Sequence, residues 1–397
     1  EDLIPREEMV VTVTHGGYAK RTALSDYRAQ RRGGKGRSGM ATKDEDFITT
    51  LFVTSTHAPL LFFSNRGMVY KNTRGKAMIN LLPLDQGETI TSIMALPEDE
   101  DSWSELNVMF ATGRGTVRRN RLSDFVQVNR NGKIAMKLEE DDSIVAVRLC
   151  TEANDVFLVS NRGRAIRFPV DDVRIFAGRS SVGVRGIRLA AGDSLISMAI
   201  LNHVDVTSPE ARAYLKHATA MRLALGDEGE DQSVTDAADG DDDGEIAALS
   251  PERIAELGAA EEFLLTVGVD GMGKRSSAYD YRVMGRGNQG VAATDLKRGV
   301  ELAASFAVDD SDQIMAVTDG GQLIRFPVDT VRIAGRSTRG VRLIRLNEKE
   351  NVVAVVRIQD AGDEDEGGEN DGEHDGFDGE AGNPDASASD AGGAAED

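Results

Sequence analysis

Seven consecutive residues, Gln30-Arg31-Arg32-Gly33-Gly34-Lys35-Gly36, carry three cations, three glycines and no acid. Glycine reaches backbone angles closed to other residues and lets a second backbone or an anion come close. Arginine presents a planar fork that matches two phosphate oxygens at once, and lysine adds a compact charge. Such a loop suits a polyphosphate surface rather than acid–base chemistry. Arg28 and Arg37 flank the stretch and extend its charge.

A second set of cations is defined by spacing. Glycines in a hairpin-like context recur at Gly17, Gly67, Gly115, Gly163, Gly271 and Gly321, separated by 50, 48, 48, 108 and 50 residues. The fourth residue after each is basic: Arg21, Lys71, Arg119, Arg167, Arg275 and Arg325. The chain averages about one Lys/Arg per nine residues, so composition alone does not give six matches at one offset. The third residue is basic as well in Lys20, Arg118 and Lys274. Side chains alternate between the faces of a strand, so a fixed offset from a turn puts these cations at one place on every repeat. The expectation is a continuous basic rim on the outer perimeter of the folded chain.

The elements that position them follow from the same repeat. A short apolar, β-branched run precedes each glycine, at residues 10–13, 60–63, 108–110, 156–159, 263–267 and 314–317. These read as buried strands ending in a turn. A second Gly/Arg-rich loop follows, at residues 30–36, 72–76, 129–133, 177–185, 285–290 and 334–340. Gly183-Val184, Gly290-Val291 and Gly340-Val341 open a third strand, and alternating stretches at 144–149, 195–201 and 352–358 give a fourth. Four strands in roughly 48 residues, repeated, predict an all-β chain of four-stranded blades. Ile-Arg-Phe-Pro-Val-Asp occurs at both 166–171 and 324–329, and its proline predicts a strand end or an edge. Repeat two leaves only about three residues between Lys71 and the Arg74-Gly75 loop, so a second strand is hard to fit there.

The long glycine interval holds one repeat plus an insertion over about 205–262. Ser208-Pro209-Glu210 and Ser250-Pro251-Glu252 both carry a cap, a proline and an acid in the order of a helix start. They predict helices over 209–224 and 251–260. Residues 236–245 and the tail from 359 to 397 are too polar to bury a core and are expected to be disordered.

Net charge is −21, which taken whole argues against a polyanionic partner. The distribution reverses that. Residues 359–397 hold 15 Asp/Glu and no Lys/Arg, and residues 227–262 hold 14 Asp/Glu against one Arg, leaving the remainder at about +7. Acidic segments beside a basic repetitive body mark an interaction surface. No apolar run reaches the roughly 18 residues of a membrane span. Cys150 is the single cysteine, which excludes an internal disulfide and a cysteine metal cluster. The five histidines show no ligand spacing, and a reducing cytoplasm is the expected setting. The chain starts at Glu1, as expected of a piece of a longer protein.

Gly268-Val269-Asp270-Gly271-Met272-Gly273-Lys274-Arg275 is close to a phosphate-binding loop. Arg275 stands where a magnesium-holding Ser/Thr is needed and no helix pattern follows, so it reads as the fifth hairpin. Asp363 to Glu366 lack the spacing of a calcium loop. No Ser/His/Asp or Cys/His set stands out for catalysis.

The string at 30–36 resembles, at all seven positions, the signature box of the C-terminal domain of the DNA gyrase A protein, and the resemblance extends over residues 1 to about 358. It implies a six-bladed β-pinwheel, propeller-like, with strands exchanged between neighbouring blades and here a partly helical insertion between blades 4 and 5. It implies that duplex DNA wraps around a basic rim, so that a holoenzyme introduces negative supercoils with ATP. The implied partners are the N-terminal cleavage core of the gyrase A protein and the gyrase B protein. The catalytic tyrosine, ATP and Mg2+ are implied to lie in regions outside this chain, with no cofactor inside it. DNA contacts are expected from residues 30–36 and from Lys20, Arg21, Lys71, Arg118, Arg119, Arg167, Lys274, Arg275 and Arg325. Two alternatives remain open: the equivalent C-terminal domain of topoisomerase IV, which shares the fold, and a propeller-like protein-interaction scaffold.

Overall fold

The computed structural model describes residues 7–14, 19–23, 48–55, 58–72, 84–97, 99–129, 131–178, 181–225, 248–320 and 322–358. The seven residues of the basic loop, Gly17, Gly321 and the tail from 359 lie outside them. The architecture is all-β and propeller-like, with six sheets among the described residues.

The third sheet shows the plan. Its central strand, Asn107–Thr112, forms a hairpin with Thr116–Arg121 and pairs on its other side with Ile144–Cys150. A two-residue strand from the next repeat, Val184–Arg185, completes it against Thr116 and Val117. The fourth sheet takes Val291–Ala292 in the same way, the fifth takes Val341–Arg342, and the second takes Lys133–Ile134. Repeats three to six therefore each hand their third strand to the sheet before.

The recurrent glycine makes that exchange possible. Gly67, Gly115, Gly163 and Gly271 all sit at φ between 75° and 79°. A side chain there is disfavoured by the left-handed backbone. Space is closed as well: a Cβ on Gly115 would lie 2.8 Å from Ile187 of the next repeat. The Gly115 carbonyl accepts from the backbone N–H of Gly186 and Ile187, and the Gly271 carbonyl from Leu343 and Ile344.

The core lies between neighbouring sheets. Along Asn107–Thr112, Val108 and Phe110 pack with Phe63, Phe125 and Trp103, whereas Met109 and Ala111 pack with Val156, Leu158 and Phe168. Period-two alternation thus feeds two interfaces from one strand, and every residue of it is buried. The rings of Phe63 and Phe110 meet edge-on at 5.6 Å. Burying one such ring contributes about 1.5–3 kcal/mol.

The expectation of six four-stranded blades is corrected. Among the described residues, four sheets carry four strands. The first, Glu8–Thr14 with Ala19–Ala23 and Ile48–Ser55, and the last, Gln313–Thr318 with Leu323–Pro327 and Val352–Ile358, carry three among those residues. Repeat two does hold a second strand, Met68–Asn72, paired with Leu60–Ser64. The loop that follows lies outside the described residues. Pro169 and Pro327 end their strands as expected.

The insertion contains α1, Ser208–Ala224, and α2, Pro251–Ala259. The cap of α1 is Thr207, one residue earlier than the sequence pattern indicates, because Thr207 and Glu210 form the reciprocal capping box. Tyr214 of α1 meets Tyr279 edge-on at 5.4 Å, and the Tyr279 hydroxyl donates to the carbonyl of Leu257 in α2 at 2.9 Å. The helices therefore dock on the fifth repeat.

Candidate nucleic-acid interface

The fourth-place cations of repeats three to five do not line a surface. Arg119, Arg167 and Arg275 are only 4%, 3% and 5% exposed, and the third-place Arg118 and Lys274 are both 0% exposed. Lys71, Arg119, Arg167 and Arg275 each reach the short 3-10 turn of the next repeat or the residue after it. Lys71 Nζ donates to the Val126 carbonyl at 3.0 Å. Arg119 Nη1 pairs with Asp171 at 3.0 Å. Arg167 Nη1 donates to the Ala278 carbonyl at 2.9 Å, and Arg275 Nε to the Val331 carbonyl at 2.7 Å. The uniform positive sign thus marks a recurrent acceptor in the following repeat. A cation buried this way is held by its partners, since unpaired charge in the interior is costly. The expected perimeter of Arg119, Arg167 and Arg275 is corrected on that ground.

Arg167 is the most enclosed of these. Its Nε meets Asp155 at 2.8 Å, its Nη2 donates to the Asn202 carbonyl at 3.1 Å, and Asp155 also receives Nδ1 of His203 at 2.8 Å. The third-place Arg118 and Lys274 hold the Gly-rich loop of the next repeat. Arg118 Nη1 donates to the Ser181 carbonyl, and Lys274 Nζ to the carbonyls of Gly335, Arg336 and Thr338 at 2.6, 2.5 and 2.5 Å. Burial pushes the Lys274 ammonium down to about 7, against the pull of nearby Asp280.

Arg325 differs from its counterparts: it is exposed, and its Nε donates to Gln313 of its own sheet at 3.0 Å. Lys20 and Arg21 belong to the described strand Ala19–Ala23. The phosphate-loop-like stretch at 268–275 is a hairpin between Phe263–Gly268 and Met272–Ser277, followed by the three-residue 3-10 turn Ala278–Asp280 rather than an α-helix. Among the described residues, no group of three or more His/Cys/Asp/Glu is placed to hold a metal, and no helix is long and apolar enough to cross a membrane.

Other arginines do face solvent. Arg174 and Arg282 follow the 3-10 turn at equivalent positions and are exposed, while the preceding Val173 and Tyr281 are buried. Isolated parallel bridges pair the next residues, Ile175 and Val283, with Arg119 and Arg167, which fixes a common register. Arg185 and Arg342 are exposed on the exchanged strands, and Lys137, Arg188 and Arg345 are exposed just beyond them. Sequence reasoning passed over this set. Its signal was present in the repeated triplets Val173-Arg174-Ile175, Tyr281-Arg282-Val283 and Val331-Arg332-Ile333, and in Gly-Val-Arg at 183–185 and 340–342.

Comparison with known proteins gives the lineage of this arrangement. The family described as DNA gyrase C-terminal domain, beta-propeller, matches five blades, at residues 8–55, 106–151, 154–202, 262–309 and 312–359. The repeat-two sheet falls outside those matches. The DNA gyrase A protein of Rickettsia bellii (strain RML369-C) is 46% identical over 378 residues, covering 92% of this chain and 41% of that protein. The chain thus spans about two fifths of the curated relatives it matches. A solved structure described as a DNA gyrase A C-terminal domain shares the fold at TM-score 0.62 and 22% identity, covering 89% of this chain and 100% of that one. The C-terminal domain of a DNA topoisomerase IV does so at TM-score 0.61 and 22% identity, with 90% and 95% covered. From its matched blades, this chain belongs to the DNA gyrase C-terminal domain family of β-propellers.

Proposed function

We propose that this chain binds duplex DNA without sequence preference and wraps it, so that a gyrase holoenzyme introduces negative supercoils. The observation that carries the reading is the recurrence of exposed arginine at equivalent places: Arg174 with Arg282, Arg185 with Arg342, Arg188 with Arg345. Arg325 and the loop at 30–36 join this interface; the buried Arg118, Arg119, Arg167, Lys274 and Arg275 support it from within. Many weak phosphate contacts along a bent path are what wrapping needs. Bending a short duplex costs several kcal/mol, so the contacts must be numerous to offset it. Each contact releases counterions, which makes affinity fall steeply with salt.

In this reading residues 1–358 act as the wrapping domain and 359–397 as an acidic tail that competes for the basic surface. The N-terminal cleavage core of the gyrase A protein and the gyrase B protein are the partners in the cytoplasm. ATP and Mg2+ act in those other parts of the enzyme.

The test combines gel shift with topology. The chain is bound to closed circular DNA, the complex is relaxed with a type I topoisomerase, and the linking number is read after deproteinisation. Salt-sensitive binding with a linking-number shift that grows with protein is expected. Absence of DNA binding at low salt overturns the reading in favour of an interaction scaffold. Binding without any linking-number shift removes wrapping.

A further inference from the structure

We propose that Lys274 and Arg118 are positioning residues for DNA binding: buried cations that seat the exchanged strand whose arginines meet phosphate. The inference rests on the DNA-wrapping reading above.

The geometry at the junction of repeats five and six is specific. The strand Met272–Ser277 grips the following loop with three successive residues. Lys274 Nζ donates to the carbonyls of Gly335, Arg336 and Thr338. The Arg275 carbonyl accepts from Ala334 N–H at 2.8 Å, and Ser276 Oγ donates to the Ala334 carbonyl at 2.8 Å. Gly340 then turns the chain with φ +85°, its Cα so close to Gly273 that a Cβ would lie 2.2 Å from the Gly273 carbonyl oxygen. The next two residues, Val341–Arg342, pair with Met272 and Gly273. The loop therefore has one way to enter the sheet, and that entry aims Arg342 and Arg345.

The junction of repeats three and four is built alike. Arg118 reaches the Ser181 carbonyl, Phe176 N–H donates to the Arg119 carbonyl at 2.8 Å, and Asn120 Nδ2 donates to the Phe176 carbonyl at 3.0 Å. Arg185 and Arg188 follow on the exchanged strand. At the other two described junctions the third-place residue is Tyr70 or Ile166, and the residue equivalent to Arg185 is Ile134 or Ala292. A buried cation thus occurs where the exchanged strand presents exposed arginine, and is replaced by an uncharged side chain where it does not. Fixing a loop before DNA arrives lowers the ordering cost that binding must meet. A buried ammonium can hold three carbonyls at once because it carries three donors and no acceptor.

The test uses the full 397-residue chain and a linear duplex of mixed sequence, with affinity measured across a salt series. Lys274→Met is compared with Lys274→Arg, with the Arg342→Ala/Arg345→Ala pair, and with Lys274→Met placed in that pair. Lys274→Met should weaken binding at low salt about 10- to 100-fold and flatten the salt slope by about one unit per arginine displaced. Lys274→Arg, which copies Arg118, should restore both. In the Arg342→Ala/Arg345→Ala background Lys274→Met should add nothing, since residues acting through one contact are not additive. A wild-type slope in Lys274→Met, or full additivity with the arginine pair, overturns the proposal while leaving DNA binding intact. Loss of salt-dependent binding in the wild type instead overturns the DNA reading itself. If Lys274→Met does not fold, Arg118→Met with Arg185→Ala/Arg188→Ala repeats the cycle at the other junction. Unfolding of both Met variants makes the cations core-forming and also overturns the positioning role.

Discussion

Nε of Arg275 donates to the carbonyl of Val331 at 2.7 Å, joining the hairpin of one repeat to the end of the 3-10 turn of the next. The same guanidinium also donates to the Asp329 carbonyl at 3.2 Å and pairs with Asp310. Lys71, Arg119 and Arg167 make the corresponding link at their junctions. At each of the four described junctions from repeat two to repeat six, a fourth-place cation therefore staples one repeat to the next.

The staple should be tested where it is most enclosed. Arg167→Met leaves Asp155 buried with His203 as its remaining side-chain partner. Breaking a buried pair from one side costs about 3–5 kcal/mol. Urea unfolding followed by tryptophan fluorescence and circular dichroism should show that loss. Arg167→Lys should recover little of it, because one ammonium cannot reach Asp155, Ala278 and Asn202 with the geometry of the fork. A variant as stable as wild type would remove the staple.

Exposed arginine should behave in the opposite way. Arg174→Ala and Arg282→Ala together should cost no more than about 1 kcal/mol of stability, chiefly the exposed contact of Arg174 with the Phe176 ring. DNA affinity should fall and the salt slope should shrink by about 0.9 for each phosphate left without its arginine. Equal salt slopes in the double variant and wild type would show that this face does not meet DNA.

Much of the fold was legible in the sequence, for a physical reason in each case. A glycine forced to φ near 75–79° leaves a fixed mark, and so does a strand buried on both faces. The helix starts were legible because Ser208-Pro209-Glu210 and Ser250-Pro251-Glu252 carry a proline and an acid in the first turn, although the cap of α1 itself is Thr207. The rim was misread because a cation in a hairpin strand is expected to face water. Here both faces of the strand are covered by neighbouring repeats, and the covering surface offers carbonyls. Arg118, Arg167 and Lys274 therefore answer to acceptors far along the chain, at separations that no local pattern reveals. Arg174 and Arg282 were hidden for the converse reason: inside Val-Arg-Ile and Tyr-Arg-Val they look like ordinary strand alternation.

Gly115→Ala tests the exchange itself. The substitution places a Cβ at φ 79° and within 3 Å of Ile187. The backbone term alone is about 1–3 kcal/mol. The thermal midpoint should drop, whereas Gly299→Ala, which also has positive φ but open space around it, should cost less. Equal losses at the two sites would mean that only the backbone angle matters and that the close approach to the next repeat does not.

Cys150 supplies a pH test. Burial pushes its thiol up to about 12, with Arg119 pulling the other way. The native chain should resist alkylation at pH 8 and react once unfolded, since the thiolate is the reactive form. Its unfolded thiol titrates first as pH rises, so above about 9 the unfolded state holds fewer protons than the native state. Linkage then makes stability decline as pH climbs from 9 toward 12. Cys150→Ser should lose this part of the alkaline dependence. Rapid native labelling at pH 8 would contradict the burial.

The loop at 30–36 carries the last prediction. Arg31, Arg32 and Lys35 concentrate three cations within five residues, with Arg28 and Arg37 beside them. The exposed arginines of later repeats, among them Arg174, Arg185, Arg282 and Arg342, are distributed over repeats four to six. Changing Arg31, Arg32 and Lys35 to alanine therefore removes a cluster at one point of the path and leaves the distributed arginines in place. Non-specific affinity should fall only in part, with the salt slope reduced by the equivalent of up to about three phosphates. Wrapping is more demanding than binding, because a bent duplex straightens wherever its restraining partners are missing. In a reassembled holoenzyme, ATP-driven negative supercoiling should collapse in the triple variant, while DNA cleavage and relaxation persist. A triple variant that supercoils at the normal rate would reduce the loop to a structural turn and move the wrapping function onto the exposed arginines alone.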